Sequence, residues 1–177
     1  MSVQLNSNDN MQFIVPKEHC VIAHHIRDTL NMSDPDEELP TLDFPNINGQ
    51  NLGKLVEFMY MYAKEPFTPI EAPLKEENKN PFAGLPEYYS NLLNNTKLVS
   101  NNLEDIHGSD MSLMSLMISA NYLQMECLVE LIAAKLADTV RDKNMKQVFP
   151  LFGIPEDHVP KQEDIDKLRE EYAYVLE

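Results

Sequence analysis

The residues best suited to do chemistry in this chain are His19, Cys20, His24 and His25, crowded into one short segment. Imidazole and thiolate together would suit zinc, which takes four ligands in a tetrahedral array, usually from two paired units. Cys20 and His24 stand four apart and would share one face of a helix, but no second pair follows. His24 and His25 are adjacent, about 100° apart around a helix, and so point away from each other. Surface histidines beside a small core cysteine account for the same residues without a metal. Phosphate chemistry has no support, because none of the five glycines falls in a GxGxxG or GxxxxGK pattern. The carboxylate pair Glu76-Glu77 lies in a proline-rich stretch, where a pre-organised geometry is least expected. No nucleophile-elbow sequence accompanies any serine. The reading is a non-catalytic chain with no cofactor and no metal.

Composition narrows the partners. Fourteen Lys and Arg face 29 Asp and Glu over 177 residues, a net charge of −15, while 43% of residues are hydrophobic. The apolar content supports a real core. The acidic surface repels phosphate backbones and anionic lipid heads, which argues against nucleic acid and membrane as partners. No apolar run reaches the roughly 20 residues of a membrane-spanning helix, and no basic segment followed by an apolar run marks a signal peptide. Cys20 and Cys127 sit in apolar, helix-like segments and read as buried small hydrophobes rather than a disulfide. The expected location is cytoplasmic, nuclear or both.

The elements that would carry these residues follow from periodicity. Alternation in Val3–Asn6 and Met11–Val15 puts Val3, Leu5, Met11, Phe13 and Val15 on one face of a hairpin. Ser7-Asn8-Asp9-Asn10 supplies the turn and Pro16 ends the second strand. Glu18–Leu30 has Val21, Ile22, Ile26 and Leu30 at helical spacing. After the acidic stretch Ser33–Glu38, a short strand is predicted over Leu39–Phe44. Asn48 then caps a helix running to about Ala63, with Leu52, Leu55, Val56 and Met59 as its apolar stripe.

Prolines 66, 69, 73, 81 and 86 preclude a helix or a central strand over 64–86, which reads as a mobile acidic loop. A weak helix is predicted over Glu87–Val99 and a polar link over Ser100–Gly108. Met111–Leu123 is apolar nearly all round, the mark of a central buried helix, and Met111, Met114, Met117 and Met125 read as core fillers. A helix over Met125–Val140 and two tail segments, Met145–Phe152 and Glu163–Leu176, complete the chain. Pro150 should stop the first tail helix by Phe149, because it lacks an N–H and clashes with the Lys146 carbonyl. The predicted architecture is α+β, a small three-stranded sheet with packed helices and a helical tail.

The order of these elements, and several residues in them, resemble the S-phase kinase-associated protein family. Phe44-Pro45-Asn46-Ile47-Asn48 is similar to its Leu-Pro-Asn-Val-Asn element. Leu116-Met117-Ile118-Ser119-Ala120-Asn121-Tyr122-Leu123 is similar to its Leu-Ile-x-Ala-Ala-Asn-Tyr-Leu run. Phe152-Gly153-Ile154 resembles its Phe-Asn-Ile, and Leu168-Arg169-Glu170-Glu171 its Val-Arg-Lys-Glu. The chain departs from the pattern in having no Trp, with Phe58 and Tyr174 where the family often has one. About a dozen extra residues also lie between Glu87 and His107.

The resemblance implies a BTB/POZ-type core over 1–141 and an F-box-binding helical extension over 142–177. It implies a non-enzymatic adaptor that links a cullin N-terminal domain to F-box substrate receptors in an SCF-type ubiquitin ligase. Asn121 and Tyr122 match the family's cullin-contacting pair. Val148, Leu151, Phe152, Ile154, Ile165, Leu168, Tyr172 and Tyr174 fall where it clasps an F-box. The alternatives are an elongin-C-like adaptor, whose family ends soon after the core, and a scaffold subunit of a non-ligase F-box complex. A weak homodimer is compatible with either.

Overall fold

The computed structural model describes residues 1–32, 39–68, 70, 81–99, 111–155 and 161–171. The chain divides into two compact units, Met1–Arg141 and Asp142–Glu177. In the first, the alternating segments form a hairpin, β1 (Ser2–Ser7) against β2 (Gln12–Pro16). Val3 pairs with Val15 and Leu5 with Phe13, so one pleat face carries the apolar residues. Met11 departs from the expected inward row. It precedes β2, is largely exposed, and its side chain lies beside Gly49. A short third strand, β3 (Thr41–Phe44), joins β1 in parallel and gives the order β2-β1-β3. This α+β arrangement, a small three-stranded sheet with packed helices, is the BTB/POZ-type fold expected.

The predicted single helix after β2 is broken. A 3₁₀ segment, Lys17–Ile22, precedes α1 (His24–Met32), with Ala23 between them at φ −93°, ψ 86°. The three-residue repeat of the 3₁₀ segment places both Cys20 and Ala23 in the core and leaves Val21 54% exposed. The His25 N–H donates to the Leu123 carbonyl, a tertiary bond that stands in for a helical one.

Helix α2 (Gly49–Lys64) starts where the sequence predicts, with Asn48 Oδ1 accepting from the Asn51 N–H at 2.8 Å. Leu52, Leu55, Val56 and Met59 face the core, and Gly53 admits the Phe13 ring against the helix. Helix α3 (Glu87–Asn95) buries Tyr89, Leu92 and Leu93. Where it is described, the 64–86 segment past the end of α2 is irregular, as its prolines require, but it packs one aromatic residue into the core. Phe67 is only 8% exposed and sits edge-on to Phe58 (6.3 Å), Tyr62 (5.6 Å) and Tyr89 (4.7 Å). The Tyr89 hydroxyl donates to the Glu65 carbonyl at 2.7 Å, tying the segment to α3. Proline spacing excludes regular structure, but it does not exclude burial of the aromatic residue between prolines. The remainder of the loop, residues 69 and 71–80, lies outside the described residues, as does the acidic stretch over 33–38.

Helices α4 (Leu113–Tyr122) and α5 (Glu126–Val140) pack as a hairpin at the centre. Leu113, Leu116, Ala120, Leu123, Met125, Leu128, Leu131 and Ile132 are buried there. The second unit contains α6 (Met145–Leu151) and α7 (Gln162–Glu171). Among the described residues no helix is long and apolar enough to cross a membrane.

Candidate functional site

Helix α4 is held rigidly at its start and along one side, which fixes what its end presents. Ser112 and Ser115 form a reciprocal capping box, 3.1 Å and 3.0 Å. The Leu113 and Met114 N–H groups donate to the Lys97 and Leu98 carbonyls, satisfying two more of the helix's unpaired donors. A polar seam then runs between α2 and α4. Asn51 Nδ2 donates to Ser119 Oγ at 3.5 Å, Ser115 Oγ lies 3.4 Å from Asn51 Oδ1, and Ser119 Oγ donates to the Ser115 carbonyl. All three side chains are buried. The helix is apolar overall, as expected, but serines with satisfied hydroxyls line its inner contact with α2.

The C-terminus of α4 closes in a Schellman turn. The Met125 N–H donates to the Ala120 carbonyl at 2.9 Å and the Gln124 N–H to that of Asn121 at 3.0 Å. Gln124 occupies the left-handed position, φ 55°, usually given to glycine. The turn drives Leu123 and Met125 fully into the core and leaves Asn121, Tyr122 and Gln124 outside. The two residues matched to the cullin-contacting pair are therefore both exposed, Tyr122 at 40%.

Two groups frame the Tyr122 ring. His25 lies 5.4 Å away and Phe44 6.4 Å away, both edge-on. Neither belonged to the sequence-derived site, because they come from α1 and β3 and nothing in local spacing links them to α4. Beyond Asn121, the turn and the first two turns of α5 enclose a depression of about 210 Å³ lined by Asn121, Gln124, Met125, Glu126, Val129 and Glu130.

In the second unit, α6 opens on another capping box. Asn144 Oδ1 accepts from the Gln147 N–H at 3.1 Å, and Gln147 Oε1 accepts from the Asn144 N–H at 3.0 Å. The expectation that Pro150 stops this helix by Phe149 is overturned, since α6 runs through it to Leu151. Pro150 falls in the last turn of a short helix, so one missing bond to Lys146 is the main loss. What ends α6 is Gly153, φ 66°, in a second Schellman turn. The Ile154 N–H reaches the Phe149 carbonyl at 2.9 Å and the Gly153 N–H that of Pro150 at 3.1 Å.

Val148, Leu151, Phe152 and Ile154 are each half-buried around this turn. Ile165 is half-buried on α7 and Leu168 is 54% exposed. Tyr172 and Tyr174 lie outside the described residues.

Of the candidate chemical residues, His25 borders the Tyr122 surface through its ring contact. Burial pushes the Cys20 and Cys127 thiols up to about 11, leaving little thiolate at neutral pH. The His19 ring packs edge-on to Tyr60 at 4.4 Å, and His25 packs on Tyr122. Among the described residues no group of three or more His, Cys, Asp or Glu is placed to hold a metal ion.

No protein-family model matches the chain. Curated proteins do match, over nearly their whole lengths. The S-phase kinase-associated protein 1 homolog of Tetrahymena thermophila is 26% identical over 176 residues, covering 99% of this chain and 94% of the relative. SKP1-like protein 18 of Arabidopsis thaliana is 25% identical over 178 residues, covering 98% and 96%. The E3 ubiquitin ligase complex SCF subunit sconC of Talaromyces stipitatus is 22% identical over 172 residues, covering 97% and 96%.

Proposed function

Starting from the premise that this chain is a divergent member of the S-phase kinase-associated protein family, we propose that it is a non-enzymatic adaptor of an SCF-type ubiquitin ligase. Its core, 1–141, docks on a cullin N-terminal domain through Asn121 and Tyr122. Its extension, 142–177, takes up the F-box of a substrate receptor. The observation that carries the reading is the exposed Asn121–Tyr122 pair at the end of a helix otherwise sunk in the core. A Tyr ring braced edge-on by His25 and Phe44 offers an amphipathic anchor of the type enriched at binding hot spots.

The extension supports the second contact. Val148, Leu151, Phe152, Ile154, Ile165 and Leu168 keep apolar surface partly in solvent, surface that an F-box would cover. The matches extend through this unit, which favours an F-box-type adaptor over an elongin-C-like one that ends soon after the core. The adaptor would work in the cytoplasm, the nucleus or both.

Affinity purification with identification of partners tests the proposal, and a cullin and F-box proteins are expected together. Truncation after Arg141 should leave cullin binding intact and abolish F-box binding. Recovery of F-box proteins without any cullin would move the chain to a non-ligase assembly. F-box binding that survives the truncation would overturn the assignment of the extension.

A further inference from the structure

The depression beside Asn121 has features that the Asn121–Tyr122 pair does not use. Its floor is Met125, fully buried, and one wall is Val129, half-buried, so its base is apolar. On its rim stand Glu126 and Glu130, one helical turn apart on α5 and both exposed. Glu126, in the first turn of a helix, has a structural reason to be acidic, since it faces the positive end of the helix dipole. Glu130, a turn further on, lacks that reason, and like charges four apart on a helix repel. Neither carboxylate has a cationic partner among the described residues. The other acidic residues of α2 and α5 with described ion pairs, Glu57 and Asp138, are matched with Lys54 and Arg141.

From the apolar floor, the two unmatched carboxylates and the shared residue Asn121, we infer that this depression is a second contact for the same partner. It receives an apolar side chain of the cullin N-terminal domain, flanked there by a lysine or arginine that lies between Glu126 and Glu130. The inference rests on the adaptor reading and extends the docking surface from Tyr122 onto α5. A volume of about 210 Å³ accommodates one aliphatic or aromatic side chain. Charges on the rim of an interface act chiefly on association rate and salt dependence, which gives the contact a distinctive readout.

The test is titration of the full-length chain with a recombinant cullin N-terminal domain at about 50 mM and about 300 mM salt. The wild type should bind more weakly at the higher salt. The double variant E126K/E130K should bind at least tenfold more weakly at low salt and lose most of the salt dependence. E126Q/E130Q should fall between the two. E126K/E130K should melt somewhat lower because Glu126 faces the positive end of the α5 dipole, so far-UV circular dichroism at the titration temperature checks that all three are folded. A control carrying the same charge change elsewhere on the core, E18K/E87K, should bind within threefold of wild type. Wild-type affinity in E126K/E130K overturns this inference and leaves the adaptor reading intact. Equal weakening in the control also overturns it, since general charge would then explain the effect. A wild-type chain that binds no cullin overturns both.

Discussion

The Asp9 carboxylate, in the hairpin turn, accepts a hydrogen bond from the Gly49 backbone N–H at 2.8 Å and so binds the turn to the first residue of α2. The Ser7 hydroxyl donates to the same carboxylate, and the Asn8 N–H donates to the Ile47 carbonyl at 2.9 Å. Two segments far apart in sequence thus share one cap. Asn48 satisfies one of α2's free N–H groups, while Asp9 satisfies another and places negative charge at the helix start.

This cap has a pH signature. The Ser7 hydroxyl, more than any other partner, holds the Asp9 carboxyl below the usual aspartate value, with the Gly49 N–H adding to it. A folded-state value below the unfolded one gives stability that is complete above about pH 4 and fades as pH falls through the folded value. Asp9→Asn should therefore melt below wild type at pH 7, with the gap narrowing at pH 3. Thermal melts at the two pH values check this, and an equal gap at both would assign the effect to shape rather than charge.

Gly49→Ala should reverse the usual rule that alanine improves a helix by about 0.5–1 kcal/mol. An added Cβ would overlap the Met11 side chain and come within 2.9 Å of Asp9 Oδ1. Met11 can swing away, but the Asp9 carboxylate must retreat from the cap. The variant is expected to be less stable than wild type in urea unfolding, and a more stable variant would show that the cap tolerates the shift.

Phe67→Ala should cost about 3–5 kcal/mol, the range for emptying a buried aromatic site. The ring fills the space between Phe58, Tyr62 and Tyr89. A neighbouring exposed position such as Thr68 should tolerate alanine within about 0.5 kcal/mol. Equilibrium unfolding of the pair would separate a packed loop end from a loose one.

Replacing Asn121 and Tyr122 together by Lys should abolish most cullin binding and leave the fold in place. Unpaired ammonium groups forced into an interface cost about 2–5 kcal/mol, tens- to thousands-fold in affinity. Losing the edge-on contacts of Tyr122 with His25 and Phe44 should cost only about 0.5–1.5 kcal/mol each of stability. A pull-down with melting curves reads both effects. Undiminished binding by a folded double variant would remove these residues from the cullin face.

Gln124→Gly should stabilise the core by about 1 kcal/mol, because Gln124 holds the left-handed position of the α4 Schellman turn, where a side chain crowds the following carbonyl. A raised melting temperature with unchanged far-UV circular dichroism is the expected result. A drop would mean that the Gln124 side chain makes a contact worth more than the relief.

Much of this architecture was legible in the residues themselves. Val3 opposite Val15, Asn48 capping α2, and the stripe Leu52, Leu55, Val56 and Met59 are local patterns, set by the periods of strand and helix. The apolar run Met111–Leu123 also marked a buried helix, which the structure has as α4, Leu113–Tyr122, with Leu123 buried just past its end. What local pattern could not supply was anything requiring two distant segments to meet. The break at Ala23 depends on a bond from His25 to Leu123, and the burial of Phe67 depends on the aromatic faces of α2 and α3. Nothing in the apolar run over 111–123 points to Asn51, which comes from α2 to share hydrogen bonds with Ser115 and Ser119. Pro150 costs α6 the bond to the Lys146 carbonyl, and it is the Gly153 turn that ends the helix. Sequence determined which residues prefer inside and which turn the chain. Tertiary packing decided which polar groups could be buried, because a hydroxyl or amide enters the core only where a partner from another element satisfies it.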